Sequence, residues 1–224
     1  SMQIIGPIIK MIFKENVKLI ADYRDGWNIS KINSKRYSIS KKLNFVMEKI
    51  ILHYSDFITC VSNNMQNEMS ILFPNYFHKI EVIMNGYDEE MLNTSPMNRN
   101  IINSNNNEEF LTIGYFGSIS DSHDSYRDPT LLLEEIRNNK KISISFFGNI
   151  NIQKAWLDKI GHRLRISGSL SHRDAIDFMS QYDILLVIHT EIFGGAEVLT
   201  GKLFDYLMTF KPILVIGPQN MEAG

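Results

Sequence analysis

A chain of 224 residues is long enough for one large or two small domains, and its 44% of hydrophobic residues can bury a sizeable core. Its formal net charge of −2 excludes the strongly basic class of nucleic-acid binders. The single cysteine, Cys60, excludes an intrachain disulfide, and the six histidines show none of the paired spacings of a protein-built metal site.

The first element is an apolar segment over residues 2–13, and it predicts a core helix. A helix lying on a membrane surface is the less favoured alternative. The segment is too short to span a bilayer and lacks the preceding positive charges of a signal peptide. A second apolar run, over residues 17–21, predicts a buried strand.

Residues 1–92 are predicted to form a partial amino-terminal domain in which strands and helices alternate. Strands are predicted at 57–61 and 79–84, and between them Ser62 is placed to cap a helix that ends before Pro74. A preceding helix is predicted over 40–54. Its expected buried stripe consists of Leu43, Val46, Met47, Ile50 and Ile51.

Residues 93–108 are predicted to be a surface linker, because six of the ten residues at 98–107 are asparagine. A second domain is predicted over 109–224, where strands and helices alternate regularly. The predicted strands are 110–116, 142–147, 163–166, 184–188 and 213–216. The predicted helices are 129–138, 152–159, 171–181 and 201–210. This alternation predicts an α/β fold with a mainly parallel sheet covered on both faces.

Glycine turns follow the first two strands of the second domain, as Gly117-Ser118 and Gly148-Asn149. Ligands of open parallel sheets bind beyond the carboxyl ends of the strands. Glycine at such a point lets the backbone approach a phosphate closely. For either turn alone, a tight turn without any binding role is an equally good interpretation, and finding two turns together favours a shared cleft.

The helix predicted over 201–210 carries Lys202 in its first turn and Asp205 on nearly the same face. Free N–H groups, the positive end of the helix dipole and an ammonium group together suit a diphosphate. A carboxylate one turn later can accept hydrogen bonds from a ribose diol. By spacing alone, a solvated ion pair on a surface helix is the favoured alternative.

Glu197 and Asp205 are separated by seven residues, which resembles the E-x7-E motif of retaining GT-B glycosyltransferases, with aspartate in the second position. The segment 200–214, TGKLFDYLMTFKPIL, resembles the donor-site helix and following strand of that superfamily. Other resembling segments follow in the expected order. They are DYRDGW at 22–27, IMNGYD at 83–88, GYFGS at 114–118 and GSLSHRDA at 168–175.

This resemblance implies a GT-B-type fold, with a partial amino-terminal Rossmann-like domain and most of a carboxyl-terminal domain that binds a nucleotide sugar. It implies transfer of a sugar, with retention, from that donor to a glycan or lipid-linked acceptor in surface polysaccharide or glycan synthesis. No metal or other cofactor is expected. The expected location is the cytoplasm, with peripheral contact at the inner membrane face. The chain is expected to be truncated at both ends and inactive alone.

The resemblance also implies roles for individual residues. Lys202 is expected to bind the donor diphosphate and stabilise the leaving group, Asp205 to hold the ribose, and Glu197 to contact the donor sugar or a nearby phosphate. The turn at Gly117 is expected to contact the diphosphate, and the turn at Gly148 to border the nucleotide. His172 and His189 are not assigned roles in catalysis; both are interpreted as structural.

Four further residues are candidates with competing interpretations. Arg127 could reach the diphosphate, although a plain surface arginine is favoured. Arg24, Asp25 and Trp27 follow a strand of the first domain and are acceptor-side candidates. Equally, the two charged residues could pair with each other or with neighbours while Trp27 packs. Alternative functions are a non-catalytic nucleotide-sugar-binding fragment and a GT-B-fold sugar-nucleotide epimerase. A dehydrogenase is least favoured, because the dinucleotide fingerprint is incomplete.

Overall fold

The computed structural model describes residues 4–27, 38–86, 110–122, 125, 127–190, 201–219 and 221. The described residues divide into two compact units, with the division between Asn85 and Gly86. The predicted linker at 93–108 and the candidate Glu197 lie outside the described residues. Within the described part of the chain, no helix combines the length and apolarity needed to cross a bilayer.

The first unit contains a three-stranded parallel sheet in the order β1-β2-β3, flanked by helices. Its elements are α1 (Ile5–Phe13), β1 (Ile20–Tyr23), α2 (Ser38–Tyr54), β2 (Phe57–Cys60), α3 (Asn63–Leu72) and β3 (Ile80–Val82). Leu52, Ile58 and Met69 are fully buried in its core. The predicted cap is confirmed, since the Ser62 hydroxyl accepts a hydrogen bond from the Met65 N–H at 3.1 Å.

Two predictions for the first unit are wrong. Helix α1 is not a core helix in the described structure, because only its Pro7 is buried while Ile12 is 67% exposed. Apolar residues occur on every side of this helix, and composition alone does not say which side packs. In α2 the predicted stripe is wrong in part: Ile51 is buried as predicted, but Leu43 is 59% exposed, and Leu52, which is not in the predicted stripe, is fully buried.

The buried face of α2 also contains the carboxylate Glu48. A charged residue normally marks the solvent face of a helix, so an apolar pattern does not predict this position in the core. Glu48 lies beside Tyr23 of β1, and burial together with this carboxylate raises the pKa of the Tyr23 hydroxyl. Strand β1 also begins three residues later than predicted, at Ile20.

The second unit is a doubly wound α/β domain. Its elements are β4 (Leu111–Phe116), β5 (Ile119–Ser120), α4 (Thr130–Asn138), β6 (Ile142–Phe147), β7 (Ile150–Asn151), α5 (Lys154–Ile160), β8 (Leu164–Ser167), α6 (His172–Met179), β9 (Ile184–Ile188), α7 (Gly201–Met208) and β10 (Ile213–Ile216). Five strands form a fully parallel sheet in the order β10-β9-β4-β6-β8. The predicted α/β class and parallel sheet are confirmed. The short pair β5–β7 was not predicted.

This strand order determines where a ligand can enter. The chain starts in the middle of the sheet at β4, builds outward through β6 and β8, and then returns to the other side of β4 as β9 and β10. The order therefore reverses between β4 and β9. In open α/β sheets the binding crevice lies at such a reversal, beyond the carboxyl ends of the strands.

Helices cover both faces of this sheet, and each face buries large side chains. Leu133 and Ile136 of α4 pack with Ile144 and Phe146 of β6 on one face. On the other face Tyr206 of α7 packs against Phe116 of β4, with ring centroids 6.3 Å apart. Burying each such side chain contributes about 1.5–3 kcal/mol. The result is a rigid platform on which the turns after the strands are held in place.

Candidate functional site

The two glycine turns after β4 and β6 lie side by side, and both require glycine. Gly117 has φ +137° and Gly148 has φ +129°, a region that residues with side chains rarely adopt. A Cβ atom on Gly148 would collide with the carbonyl oxygen of Gly117, which is backbone and cannot move aside. A Cβ atom on Gly117 would lie 2.7 Å from Nζ of Lys202.

The backbone N–H groups of these two glycines already have partners. The Gly117 N–H donates to the Phe147 carbonyl at 2.8 Å, and the Gly148 N–H donates to the Ser167 carbonyl at 3.2 Å. The Asn149 carbonyl accepts from the N–H of Ile119 at 3.1 Å. The backbone donors of Gly117 and Gly148 are therefore used within the turns, and the absence of side chains at these positions lets the two turns and Lys202 pack closely. Ser118, the next residue of the first turn, is exposed.

Lys202 reaches from the first turn of α7 to the glycine turn after β4. Its Nζ donates a hydrogen bond to Oη of Tyr115 at 2.9 Å and lies 4.0 Å from the centroid of the same ring. The Tyr115 hydroxyl in turn donates to the Ser118 carbonyl at 2.6 Å. The predicted approach of Lys202 to the Gly117 turn is thus present in the structure.

Three basic side chains, Lys202, Arg127 and His189, lie close enough together to affect one another's charge. Burial, followed by the nearby Arg127 charge, lowers the pKa of Lys202 to about 7. Burial also lowers the pKa of His189 to about 4, with further contributions from Arg127 and Lys202. His189 directly follows β9, so the cluster lies at the reversal point of the strand order. Arg127 and protonated Lys202 are positively charged and favour an anionic ligand, whereas His189 is neutral near pH 7.

Asp205 lies one helical turn after Lys202 and faces a different neighbour. Its Oδ1 accepts a hydrogen bond from Nε2 of His172, the first residue of α6, at 3.1 Å. The next residue of α7, Tyr206, fixes the helix to β4, because its hydroxyl accepts a hydrogen bond from the Phe116 N–H at 3.0 Å. Helix α7 therefore presents a cation at the end of β4 and a carboxylate beside the start of α6.

The acceptor-side candidates of the first unit line a cavity of about 450 Å³ at the end of β1. Arg24 pairs with Asp22 rather than Asp25, with Nε and Oδ2 separated by 3.3 Å. Trp27 lines the cavity and also packs against the core of the unit. Arg24, Asp25 and Trp27 are thus brought together at one cavity, and their role in acceptor binding stays a prediction.

Three side chains contact or neighbour the predicted site residues without having been predicted to do so: Tyr115 is not singled out from the sequence, and His189 and His172 are interpreted there as structural. Tyr115 lies inside the GYFGS segment, but strand alternation turns its side chain toward the core, where it packs against Phe146. His189 directly follows a predicted strand, which is a signal that could have found it. His172 directly follows the helix cap Ser171, and its pairing with Asp205 arises only from the packing of α6 against α7.

The sequence matches no protein-family model. It also has no significant match among curated proteins. Its structure nevertheless resembles solved glycosyltransferase structures. HepE from Anabaena, in complex with UDP-glucose, matches with a TM-score of 0.66 and 16% identity over 96% of this chain and 57% of HepE. Sucrose-phosphate synthase from Thermosynechococcus elongatus matches with a TM-score of 0.60 and 11% identity over 93% of this chain and 53% of that enzyme.

TarM from S. aureus, solved with UDP among its ligands, matches with a TM-score of 0.55 and 10% identity over 94% of this chain and 40% of TarM. These similar structures are GT-B glycosyltransferases. The chain therefore has the GT-B fold that the sequence predicts. It spans a little over half the length of HepE and of sucrose-phosphate synthase.

Proposed function

We propose that this chain is part of a glycosyltransferase and that its second unit binds the nucleotide-sugar donor. The observation that carries the proposal is the approach of Lys202 to the Gly117 turn at the reversal point of the sheet, beside Arg127. A crevice of this charge suits the diphosphate of a nucleotide sugar. The likeness of the fold to HepE in complex with UDP-glucose supports this choice of ligand.

In the proposed reaction, the bond between the anomeric carbon of the sugar and the diphosphate oxygen breaks, and an acceptor hydroxyl forms the new glycosidic bond. The electron pair leaves with the nucleoside diphosphate, and the proton of the acceptor hydroxyl passes to an oxygen of the departing diphosphate. Lys202 and Arg127 would stabilise the negative charge that develops on the leaving group. This charge stabilisation needs no metal ion. Retention of anomeric configuration is proposed from the E-x7-E resemblance.

Asp205 is proposed to hold the donor ribose through the carboxylate oxygen that does not bond His172. Glu197, by its place in the motif, is proposed to contact the donor sugar or a nearby phosphate. In the first unit, Trp27 could stack on a sugar ring while Arg24 and Asp25 bond its hydroxyls at the cavity of β1. These features suit a glycan or lipid-linked acceptor, in surface polysaccharide synthesis at the cytoplasmic face of a membrane.

The first test is calorimetric titration of the chain with UDP-glucose, GDP-mannose and ADP-glucose. We expect one of these donors to bind, and Lys202→Met to weaken that binding about 10- to 100-fold, because a charge-assisted contact to phosphate is lost. Lys159→Met is the matched control, since Lys159 also lies over an aromatic ring, 4.9 Å from the centroid of Trp156. Equal binding by the parent and Lys202→Met would contradict the proposal.

Donor epimerisation is the second candidate function, and the His172–Asp205 pair favours it because such a pair can move a proton. Incubation of the bound donor in D₂O separates the two functions. Epimerisation through proton exchange would place deuterium on the sugar ring, whereas glycosyl transfer or donor hydrolysis would release nucleoside diphosphate without it. Binding with neither product would identify a non-catalytic binding module.

A further inference from the structure

Tyr115 makes two different contacts with Lys202, and both direct the lysine toward the Gly117 turn. The ring face lies 4.0 Å from Nζ, and the hydroxyl oxygen accepts a hydrogen bond from Nζ at 2.9 Å. Tyr115 itself is fully buried, with its ring packed against Phe146 at a centroid distance of 5.8 Å. The tyrosine is therefore a fixed support, and Lys202 is the group that it holds.

The hydroxyl of Tyr115 can act toward Lys202 only as an acceptor. Its own proton is directed to the Ser118 carbonyl at 2.6 Å, which leaves oxygen lone pairs for Nζ. Two hydrogen bonds therefore connect Lys202 of α7 to Tyr115 of β4, and Tyr115 to Ser118 in the turn that follows β4. Movement of Lys202 away from the turn would break both of its contacts with Tyr115.

A tyrosine differs from a carboxylate in what it does to a bound ammonium group. A carboxylate would neutralise the lysine charge, as Asp56 does for Lys10 at 2.8 Å in the first unit. The ring face and the hydroxyl oxygen carry only partial negative charge. They can orient Nζ without neutralising the charge that the protonated amine carries, so that charge stays available to another anion. Among the described residues, the bond to Tyr115 is the single hydrogen bond that Lys202 makes.

We propose that Tyr115 is a positioning residue that aims the Lys202 amine at the Gly117 turn and leaves its charge for the donor diphosphate. The inference rests on the proposed function. It assigns Tyr115 no contact with the donor, since the side chain is buried beneath the turn. Its effect on donor binding must therefore pass through Lys202.

A double-mutant cycle tests this dependence. Tyr115→Phe removes only the hydroxyl, and we expect it to weaken the affinity for UDP-glucose, or for whichever donor the parent binds, about three- to tenfold. In a Lys202→Met background the same change should alter the affinity by less than about 1.5-fold. Tyr182→Phe is the control, because Tyr182 packs against Phe116 and Phe147 of the same unit and should leave affinity unchanged.

Two results would overturn the inference: an unchanged affinity in Tyr115→Phe, or an equal loss in the presence and absence of Lys202. If the parent binds no donor, the proposed function fails, and an NMR titration of the Lys202 side chain in the free protein still decides the inference. The Tyr115 oxygen stabilises the ammonium form, so Tyr115→Phe should lower the pKa of Lys202 below that of the parent. An unchanged pKa would show that Tyr115 does not act on Lys202.

Discussion

The sheet of the second unit holds a sheltered cation at each end, and the two cations have different surroundings. At the amino end, Arg163 is 5% exposed, and its Nη1 donates to the carbonyls of Ile136, Asn139 and Ile142 at 2.7–2.9 Å. At the carboxyl end, half-buried Lys202 lies against a tyrosine and close to other basic groups. Backbone carbonyls of the protein bind the first charge, whereas we propose that the second binds an anionic ligand.

This difference in surroundings distinguishes a cation with a structural role, Arg163, from one that we propose to bind a ligand, Lys202. Arg163 directly precedes β8, and its Nη1 donates to carbonyls of Ile136 in α4 and Ile142 in β6. These bonds tie α4 and β6 to the start of β8. Lys202 has contacts that direct it but do not neutralise it. The contrast predicts that removing the Arg163 charge acts on folding, and that removing the Lys202 charge acts on binding and on the pH dependence of stability.

The largest expected effect is that of Gly148→Ala, which tests whether the carboxyl end is shaped by backbone sterics. The new Cβ would collide with the Gly117 carbonyl, and the φ of +129° at position 148 is unfavourable for alanine. We therefore expect a loss of about 3–4 kcal/mol in the free energy of unfolding. Gly161→Ala is the matched control, with φ +68° but open space around the Cβ, and should cost about 1 kcal/mol. Urea denaturation measures the free energy of unfolding of both variants. Equal losses would show that the positive φ alone, without the clash at Gly148, accounts for the requirement for glycine.

Arg163→Met should lower the free energy of unfolding by about 3 kcal/mol, because buried carbonyls lose a charged donor that nothing replaces. Donor affinity, measured below the unfolding midpoint, should stay within about twofold of the parent, since Arg163 lies at the opposite end of the sheet. A stable Arg163→Met variant with impaired donor binding would reverse the roles assigned to the two ends.

Most strands of the second unit could be predicted because apolar residues dominate them. The strands Ile142–Phe147, Ile184–Ile188 and Ile213–Ile216 have the predicted bounds. In the first unit the predicted α2 stripe is right for Ile51 and wrong for Leu43, Val46 and Ile50, which are exposed. Apolar patterns therefore located the strands, but they did not say which side of a helix packs when apolar residues occur on several sides.

The candidate site could be predicted only in part. The approach of Lys202 to the Gly117 turn follows from general rules about strand ends and helix starts. The contacts that define its chemistry do not, because Tyr115 is 87 positions from Lys202 and His172 is 33 positions from Asp205. Such pairs arise from the order in which strands and helices pack, and spacing within one element carries no information about them.

Lys202→Met should raise the free energy of unfolding, whereas Arg163→Met should lower it. The pKa of Lys202 is lowered on folding, from the ordinary 10.5 to about 7, so the folded state is penalised below pH 7 and the penalty fades between pH 7 and 10.5. We expect Lys202→Met to raise the free energy of unfolding by about 2 kcal/mol at pH 7. Unfolding at pH 7 and pH 10 should show the gain shrinking, and a gain that is equal at both pH values would contradict this account.

The smallest expected effect is the pH dependence of donor affinity. In the free protein Lys202 is about half protonated at its pKa of about 7, and the donor diphosphate should raise this pKa by pairing with the ammonium. Binding then takes up a proton, so affinity should fall above pH 7 by at most about tenfold per pH unit. His189, with its pKa of about 4, stays neutral throughout.

A nucleotide sugar is the right probe for this effect, because its diphosphate has no proton that titrates near pH 7. Titration of UDP-glucose, or of the donor that the parent binds, in two buffers of different ionisation enthalpy counts the protons taken up. We expect uptake of part of a proton by the parent at pH 8 and none by Lys202→Met. Equal uptake by both would assign the titration to another group, and zero uptake by the parent would mean that Lys202 is already charged before the donor arrives.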